Sequence, residues 1–284
     1  MSWPPLPPWS EVVDLAWRVV LPAGGLAFAI PLAAKRVFGP TSLSIATPLG
    51  AAAGLALAFG LRQAAPWLPE DFGSVWMHVA WISVLAAGAF AAALPARWNW
   101  FPKLAAVAAA VWVTLPEERR DGALWFFVMA AVMAIPWLAA PTTNANSARQ
   151  WPERSAWLAM ALAALSVVAL YAHYLRVTDF AMMAACAMAG GTAACALLGR
   201  DGRELEGLGY VSLPALVLCV WNDVESAIPA AGFVFAGLAA APIAMFRWLP
   251  PQGWRPLVIR GAAVLLPAAI AVILAMSFEE LSFG

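Results

Sequence analysis

The stretch VVDLAWRVVLPAGGLAFAIPLAA (residues 12–34) decides the fold, and Lys35 and Arg36 follow it directly. A helix needs about 20 residues to cross the roughly 30 Å hydrocarbon core of a bilayer, and this stretch is long enough. Because backbone groups facing lipid must be hydrogen-bonded within their own segment, we predict a transmembrane helix here. Its only charged residues, Asp14 and Arg18, are one turn apart and are predicted to form an ion pair.

The whole chain, like this stretch, is rich in apolar residues and poor in charged ones. Of 284 residues, 63% are apolar and 11% are charged, and the mean hydropathy is +0.79. A typical soluble domain is about half apolar and about one quarter charged. Sixteen basic residues balance sixteen acidic ones, so the chain lacks the basic excess that binding to nucleic acid phosphates requires. The composition predicts an integral membrane protein with the lipid bilayer, and not nucleic acid, as its partner.

Further stretches of similar apolarity predict an all-α fold: a polytopic bundle of about ten transmembrane helices joined by short loops. The predicted spans are residues 12–34, 43–61, 74–94, 100–115, 122–140, 156–175, 180–198, 208–221, 227–246 and 257–276. The fourth span is weakly apolar and the eighth is short. Loss of either one alone would reverse the orientation of every later span.

Basic residues are unevenly distributed among the loops between these spans. Eleven of the sixteen Lys and Arg residues fall on one side, which we predict to be cytoplasmic because short cytoplasmic loops are enriched in them. Twelve of the sixteen acidic residues fall on the other side. We therefore expect a multi-pass protein of the inner or plasma membrane, with both termini on the non-cytoplasmic side.

One distinctly polar linker, residues 141–154, divides the single membrane domain near its midpoint. Residues 1–140 form an N-terminal half with spans 1 to 5, and residues 155–284 form a C-terminal half with spans 6 to 10. Two different internal repeats are consistent with the sequence. Spans 2 to 5 can be laid over spans 6 to 9, since AFAAALPAR (residues 89–97) resembles TAACALLGR (residues 192–200). The alternative is a five-helix repeat divided at the linker.

Several predicted spans contain residues that disturb helices, among them Gly24-Gly25, Gly190-Gly191 and Pro214. Such residues allow a broken helix whose backbone groups bind a substrate. The competing interpretation, which we favour, is an ordinary kink that neighbouring helices stabilise. Gly50 and Gly54 form a GxxxG element, which predicts close contact with another helix.

Sequence signatures of catalysis, metal binding and cofactor binding do not occur in the chain. There is no HExxH, no Walker A loop and no Gly-x-Ser-x-Gly elbow. Cys186, Cys195 and Cys219 all lie in apolar stretches, and we interpret them as small buried residues. No metal site and no cofactor is predicted, and enzymatic activity is not expected.

The candidate binding site is a constellation of ionisable residues near the predicted outer ends of spans. Its members are His78, His173, Glu117, Glu118, Asp223 and Glu225. Carboxylates close to one another, partly shielded from water, have raised pKa values, and imidazoles titrate near neutral pH. Such a vestibule would gather cations or relay protons. The competing interpretation is that these residues are solvated loop residues.

Three functions are consistent with these patterns. The first is a transporter-like permease for a small solute or ion with an acidic outer vestibule. The second is a non-catalytic scaffold or subunit, which packs through Ala and Gly surfaces against another membrane protein or a second copy of itself. The third is an intramembrane enzyme acting on lipid-linked substrates.

Overall fold

The computed structural model describes residues 9–63, 100–115, 122–138, 152–172, 174–221, 227–243 and 254–283. Within these ranges the chain is helical and has no β-strand, which confirms the predicted all-α class for this part of the protein. The third predicted span, residues 74–94, and most of the polar linker lie outside the described residues.

The helices have these bounds, in chain order: α1 (Trp9–Leu15), α2 (Leu21–Phe38), α3 (Leu43–Gln63), α4 (Trp100–Thr114), α5 (Ala123–Met133), α6 (Ile135–Leu138), α7 (Glu153–Tyr171), α8 (Leu175–Leu198), α9 (Arg203–Trp221), α10 (Ala227–Leu238) and α11 (Trp254–Phe283). A π-helical turn joins α1 to α2, so the two form one continuous rod. If α5 and α6 are also counted as one rod, the described residues hold nine, one in each predicted span except the third.

Five of the described helices are long and apolar enough to cross a membrane. They are Val13–Phe38, Pro40–Arg62, Glu153–Tyr171, Val177–Leu198 and Trp254–Ser277, at the positions of predicted spans 1, 2, 6, 7 and 10. Apolar helices of 10–17 residues mark predicted spans 4, 5 and 9. The membrane class is therefore supported, but the ten-span bundle and its internal repeat are not confirmed by the described residues.

α9 is the central helix of the described bundle. Every residue from 205 to 218 is buried. The helix contacts α3, α4, α5, α6, α7, α8 and α10. It begins at Arg203, five residues before the predicted start of span 8, so its first turn contains charged residues. It continues through Pro214 to Trp221 without a break, which favours the packing interpretation of this proline.

Glycines bring α2 into close contact with both α3 and α8. A Cβ atom at Gly54 of α3 would overlap the carbonyl oxygen of Ala23, so the contact predicted for the GxxxG element is present. A Cβ atom at Gly190 of α8 would overlap the carbonyl oxygen of Gly24. Helix α2 continues through Gly24, and helix α8 continues through Gly190. Here the helix-disturbing residues serve close packing.

The π-helical turn Ala16–Val20 lies just before a proline. Pro22 has no N–H to donate to the carbonyl of Arg18, and its ring crowds the preceding turn. The wider turn accommodates this, since the N–H of Leu21 donates to the carbonyl oxygen of Ala16, five residues back. The helix therefore passes the proline without ending.

Candidate functional site

The residues predicted to form the outer vestibule all lie outside the described residues. They are His78, His173, Glu117, Glu118, Asp223 and Glu225. The vestibule therefore stays a prediction. The described residues instead reveal a second group of ionisable side chains at the other end of α4 and α9.

This group, which we call the Glu206 cluster, contains Lys103 of α4, Trp137 of α6, Arg154 of α7, and Glu206 and Tyr210 of α9. Lys103, Glu206, Trp137 and Tyr210 are all at most 5% exposed. Four helices thus contribute polar or aromatic side chains to one buried region beside the central helix. The sequence places Lys103 and Arg154 among the eleven basic residues that indicate orientation, and it does not single out the other three residues.

The ion pair of the cluster joins the beginnings of α7 and α9. Nε of Arg154 lies 3.4 Å from Oε1 of Glu206, and the two side chains are 30% and 4% exposed. Tyr210 is one turn after Glu206 on the same face of α9, and its phenol group lies near Arg154. The guanidinium is therefore the member that reaches from the solvent toward the buried carboxylate.

Lys103 is held by the end of a short helix. Its Nζ donates a hydrogen bond of 2.7 Å to the carbonyl oxygen of Trp137. That carbonyl belongs to the last turn of α6, where backbone acceptors have no N–H partner within the helix. Nζ also lies 5.5 Å from the centroid of the Trp137 ring, and this ring stacks on Tyr210 at 6.3 Å and 10°. The aromatic pair links the lysine to the central helix.

Lys103 and Glu206 are both buried, and burial disfavours the charged form of an ionisable group. Lys103 and Glu206 lie outside the five helices that are long enough to span a membrane. The buried Lys103 ammonium and the nearby Glu206 carboxylate attract each other. Burial raises the pKa of Glu206, and Arg154 and then Lys103 oppose that change. The charged forms of these groups thus depend on one another.

Further polar contacts fasten helices at the same end of the bundle. Nε of Arg260 in α11 lies 3.0 Å from Oε1 of Glu153 in α7, and Trp157 donates a hydrogen bond of 3.1 Å to the same oxygen. Arg203 pairs with Asp201 at 2.6 Å at the start of α9. Both ion pairs lie next to the Glu206 cluster in the chain, because Glu153 precedes Arg154 and Arg203 lies about one turn before Glu206.

A separate network of ion pairs lies at the opposite end, around the beginning of α1. The predicted pair of Asp14 with Arg18 is present at 2.7 Å. Arg62 at the end of α3 lies 3.6 Å from Asp14 and 3.1 Å from Asp179 of α8. These side chains are partly exposed, and they connect the three helices that the glycines pack together.

The described residues contain no group of three or more His, Cys, Asp or Glu side chains that could hold a metal ion. Cys195 is fully buried in α8, as predicted, whereas Cys186 is only partly buried. The Glu206 cluster brings cationic, anionic and hydroxyl groups together. Groups of these kinds form hydrogen bonds and exchange protons.

No protein-family model and no curated protein matches this chain.

Proposed function

We propose that this protein is a transporter-like permease for a small solute or ion, and that the Glu206 cluster takes part in binding what it carries. The observation that carries the proposal is the burial of Lys103 and Glu206 at the start of the central helix of an apolar bundle, with Arg154 partly buried against the carboxylate. Ionisable groups inside membrane proteins are costly, and they typically mark pathways of substrates, ions or protons.

Stability alone is a weak reason for burying such a cluster. The loss of hydration of a buried ion pair often outweighs the attraction between its charges, and apolar side chains of similar volume are frequently as stable. The cluster also lies on α9, which contacts most of the other described helices. A change in the charge or ligand state of Glu206 would therefore act on the helix best connected to the rest of the bundle.

The direction of α4 and α9 supports a path along them. Lys103 and Glu206 lie near the beginnings of these two helices, which pack against each other. The chain continues from the ends of both helices into the segments that contain the predicted outer acids. In the proposed orientation, with both termini on the non-cytoplasmic side, the cluster marks the cytoplasmic end and the acidic vestibule the outer end.

Flux measurements test this proposal. Protein reconstituted into liposomes would be assayed with chloride, acetate, phosphate, sodium, potassium and protons, beside Glu206→Gln and the control Glu204→Gln. Glu204 is on the same turn of α9 but pairs with Arg200 near the loop. We expect flux of at least one solute, about tenfold or more slower in Glu206→Gln and little changed in Glu204→Gln. If flux is unchanged in both variants, the cluster has no role in transport.

The scaffold function is the second candidate, and the packing of α9 favours it. Leu, Val and Ala side chains fill the surroundings of this helix, and Leu205, Leu208, Leu213 and Leu216 are each at most 1% exposed. A solid core suits a subunit whose task is to hold other proteins or a second copy of itself. Absence of flux for the whole panel, together with a membrane protein that copurifies in fixed proportion, would favour the scaffold over the permease.

A further inference from the structure

We infer that the last turn of α2, residues 35–38, binds the headgroup of an anionic phospholipid through Lys35 and Arg36. We call these four residues the basic turn. The inference goes beyond the proposed function and does not depend on it, because a permease and a scaffold could both be anchored in this way. It follows from the exposure of the basic turn, from the ion pairs at the two ends of its helix and from its level along that helix.

The basic turn extends beyond the helices that pack against α2. All four of its residues are exposed, and Val37 and Phe38 are 69% and 73% exposed. Four successive residues of an α-helix point to all sides of it, since one turn has 3.6 residues. Earlier in α2, by contrast, Gly24 is in close contact with α8. The basic turn therefore contacts whatever surrounds the protein at this end of the bundle.

The two ends of the rod formed by α1 and α2 differ in how their cations are paired. Near the first end, Arg18 pairs with Asp14 at 2.7 Å. At the second end, Lys35 and Arg36 have no acidic partner in the part of the chain that the structure describes. Two adjacent cations repel each other, and a bound anionic group would reduce this repulsion. The basic turn thus presents a surface that is complementary to negative charge.

The basic turn lies at the level expected for lipid headgroups. Residues 19–34, between Arg18 and Lys35, contain no charged side chain. At 1.5 Å per residue, Arg18 and Lys35 are about 26 Å apart along the helix axis. This distance is close to the roughly 30 Å thickness of the hydrocarbon core, and the helix Val13–Phe38 is long and apolar enough to cross it. When Arg18 lies at one membrane surface, the basic turn lies at the other.

The start of α11 has the same character and lies at the same end of the bundle. Trp254 is 70% exposed, and the guanidinium of Arg255 lies 5.5 Å from the centroid of its ring. Arg260, early in α11, pairs with Glu153 at the start of α7, where α8 ends. Since α8 and α2 run side by side in the same direction, α2 also ends there. Exposed aromatic and basic side chains together are typical of the headgroup level.

An anionic phospholipid fits the basic turn better than a free anion or a neutral lipid does. Its phosphate oxygens accept hydrogen bonds from ammonium and guanidinium groups, and its acyl chains can cover Val37 and Phe38. A free anion would leave these two apolar side chains uncovered. The cationic group of a zwitterionic headgroup would be repelled by Lys35 and Arg36. In the proposed orientation this end faces the cytoplasmic leaflet, whose surface is negatively charged.

Lipid binding to the purified protein tests the inference. Protein in uncharged detergent would be titrated with phosphatidylglycerol and, separately, with phosphatidylcholine that has the same acyl chains, and bound lipids would be counted by native mass spectrometry. The proteins are wild type, Arg36→Gln, Lys35→Gln/Arg36→Gln and the matched control Arg18→Gln. Arg18 is a partly exposed arginine on the same rod, but it is paired with Asp14. Thermal unfolding without lipid checks that each variant is folded.

We expect wild type to bind phosphatidylglycerol more tightly than phosphatidylcholine. Each basic residue near an anionic headgroup should contribute about fivefold in affinity, equivalent to about 1 kcal/mol. Affinity for phosphatidylglycerol should therefore fall about fivefold in Arg36→Gln and about 25-fold in Lys35→Gln/Arg36→Gln, and it should change by less than about twofold in Arg18→Gln. Equal affinity of wild type for the two lipids, or equal affinity of wild type and the double variant for phosphatidylglycerol, overturns the inference.

A second measurement separates the lipid from a free anion as the occupant. The rise in the midpoint of thermal unfolding that phosphatidylglycerol causes would be compared in sodium phosphate and in sodium chloride at equal ionic strength. We expect the same rise in both salts and a smaller rise as ionic strength increases, because both salts then act only by screening. A rise that phosphate suppresses more strongly than chloride does would identify a free-anion site and reject the lipid.

Discussion

Gly190 of α8 lies so close to Gly24 of α2 that no side chain fits between the two backbones. We expect Gly190→Ala to lower the free energy of unfolding by about 2 kcal/mol or more, because a methyl group would have to displace backbone atoms. The control is Gly25→Ala, since a Cβ atom there meets nothing within 4 Å. Thermal unfolding in detergent checks both variants. Equal stability of the two variants would contradict the close contact.

Removal of Arg154 should destabilise the protein through Glu206. Arg154→Met leaves the buried carboxylate without its guanidinium partner, and we expect a loss of about 2–4 kcal/mol. The double variant Arg154→Met/Glu206→Gln should regain most of this loss, because the unpaired negative charge is gone. Unfolding measurements on the four proteins of this cycle give the coupling energy. A coupling near zero would mean that the 3.4 Å pair contributes nothing.

Arg62 should matter more to stability than Arg18 at the opposite end of the bundle. Arg62 contacts Asp14 and Asp179 and so connects three helices, whereas the ion pair of Arg18 within the described part of the chain is with Asp14, one turn away. We expect Arg62→Gln to cost about 1 kcal/mol and Arg18→Gln at most about 0.5 kcal/mol. Both effects should shrink in high salt because these side chains are partly exposed. A larger loss for Arg18→Gln would argue against the network.

The proposed orientation predicts opposite labelling at the two ends of the first rod. Trp9 and Lys35 are both exposed and lie near the two ends of the continuous helix Trp9–Phe38. In a variant without native cysteines, an impermeant thiol reagent outside the cell should label Trp9→Cys but not Lys35→Cys. Lysed cells, in which both positions should react, serve as the control. The reverse pattern would place both termini in the cytoplasm if the predicted count of ten spans is correct.

The sequence predicts helices best where length and apolarity are sufficient by themselves. Residues 12–34 and 43–61 were predicted as spans, and helices occur at both places. The Asp14 and Arg18 pair was also predicted, because it depends only on spacing along one helix.

The start of α9 and the Glu206 cluster could not be predicted in this way. Arg203, Glu204 and Glu206 have the composition of a loop, so the eighth span was predicted to begin at Leu208. Glu206 is buried because Arg154 and Lys103, which are distant in sequence, lie next to it in the bundle. Local patterns of hydropathy contain no information about such partners. A charged residue two positions before the predicted start of the eighth span is the one available signal.

The central position of α9 has a consequence for how the protein is assembled. This helix is not among the five described helices that are long and apolar enough to cross a membrane, and its first turn is charged. Its place therefore depends on neighbours that supply counter-charges and apolar surface, chiefly α4 and α7, which are synthesised before it. We expect α9 to be retained only after those helices are in place. Loss of Arg154 would then show itself during biogenesis, as rapid degradation of newly made chains.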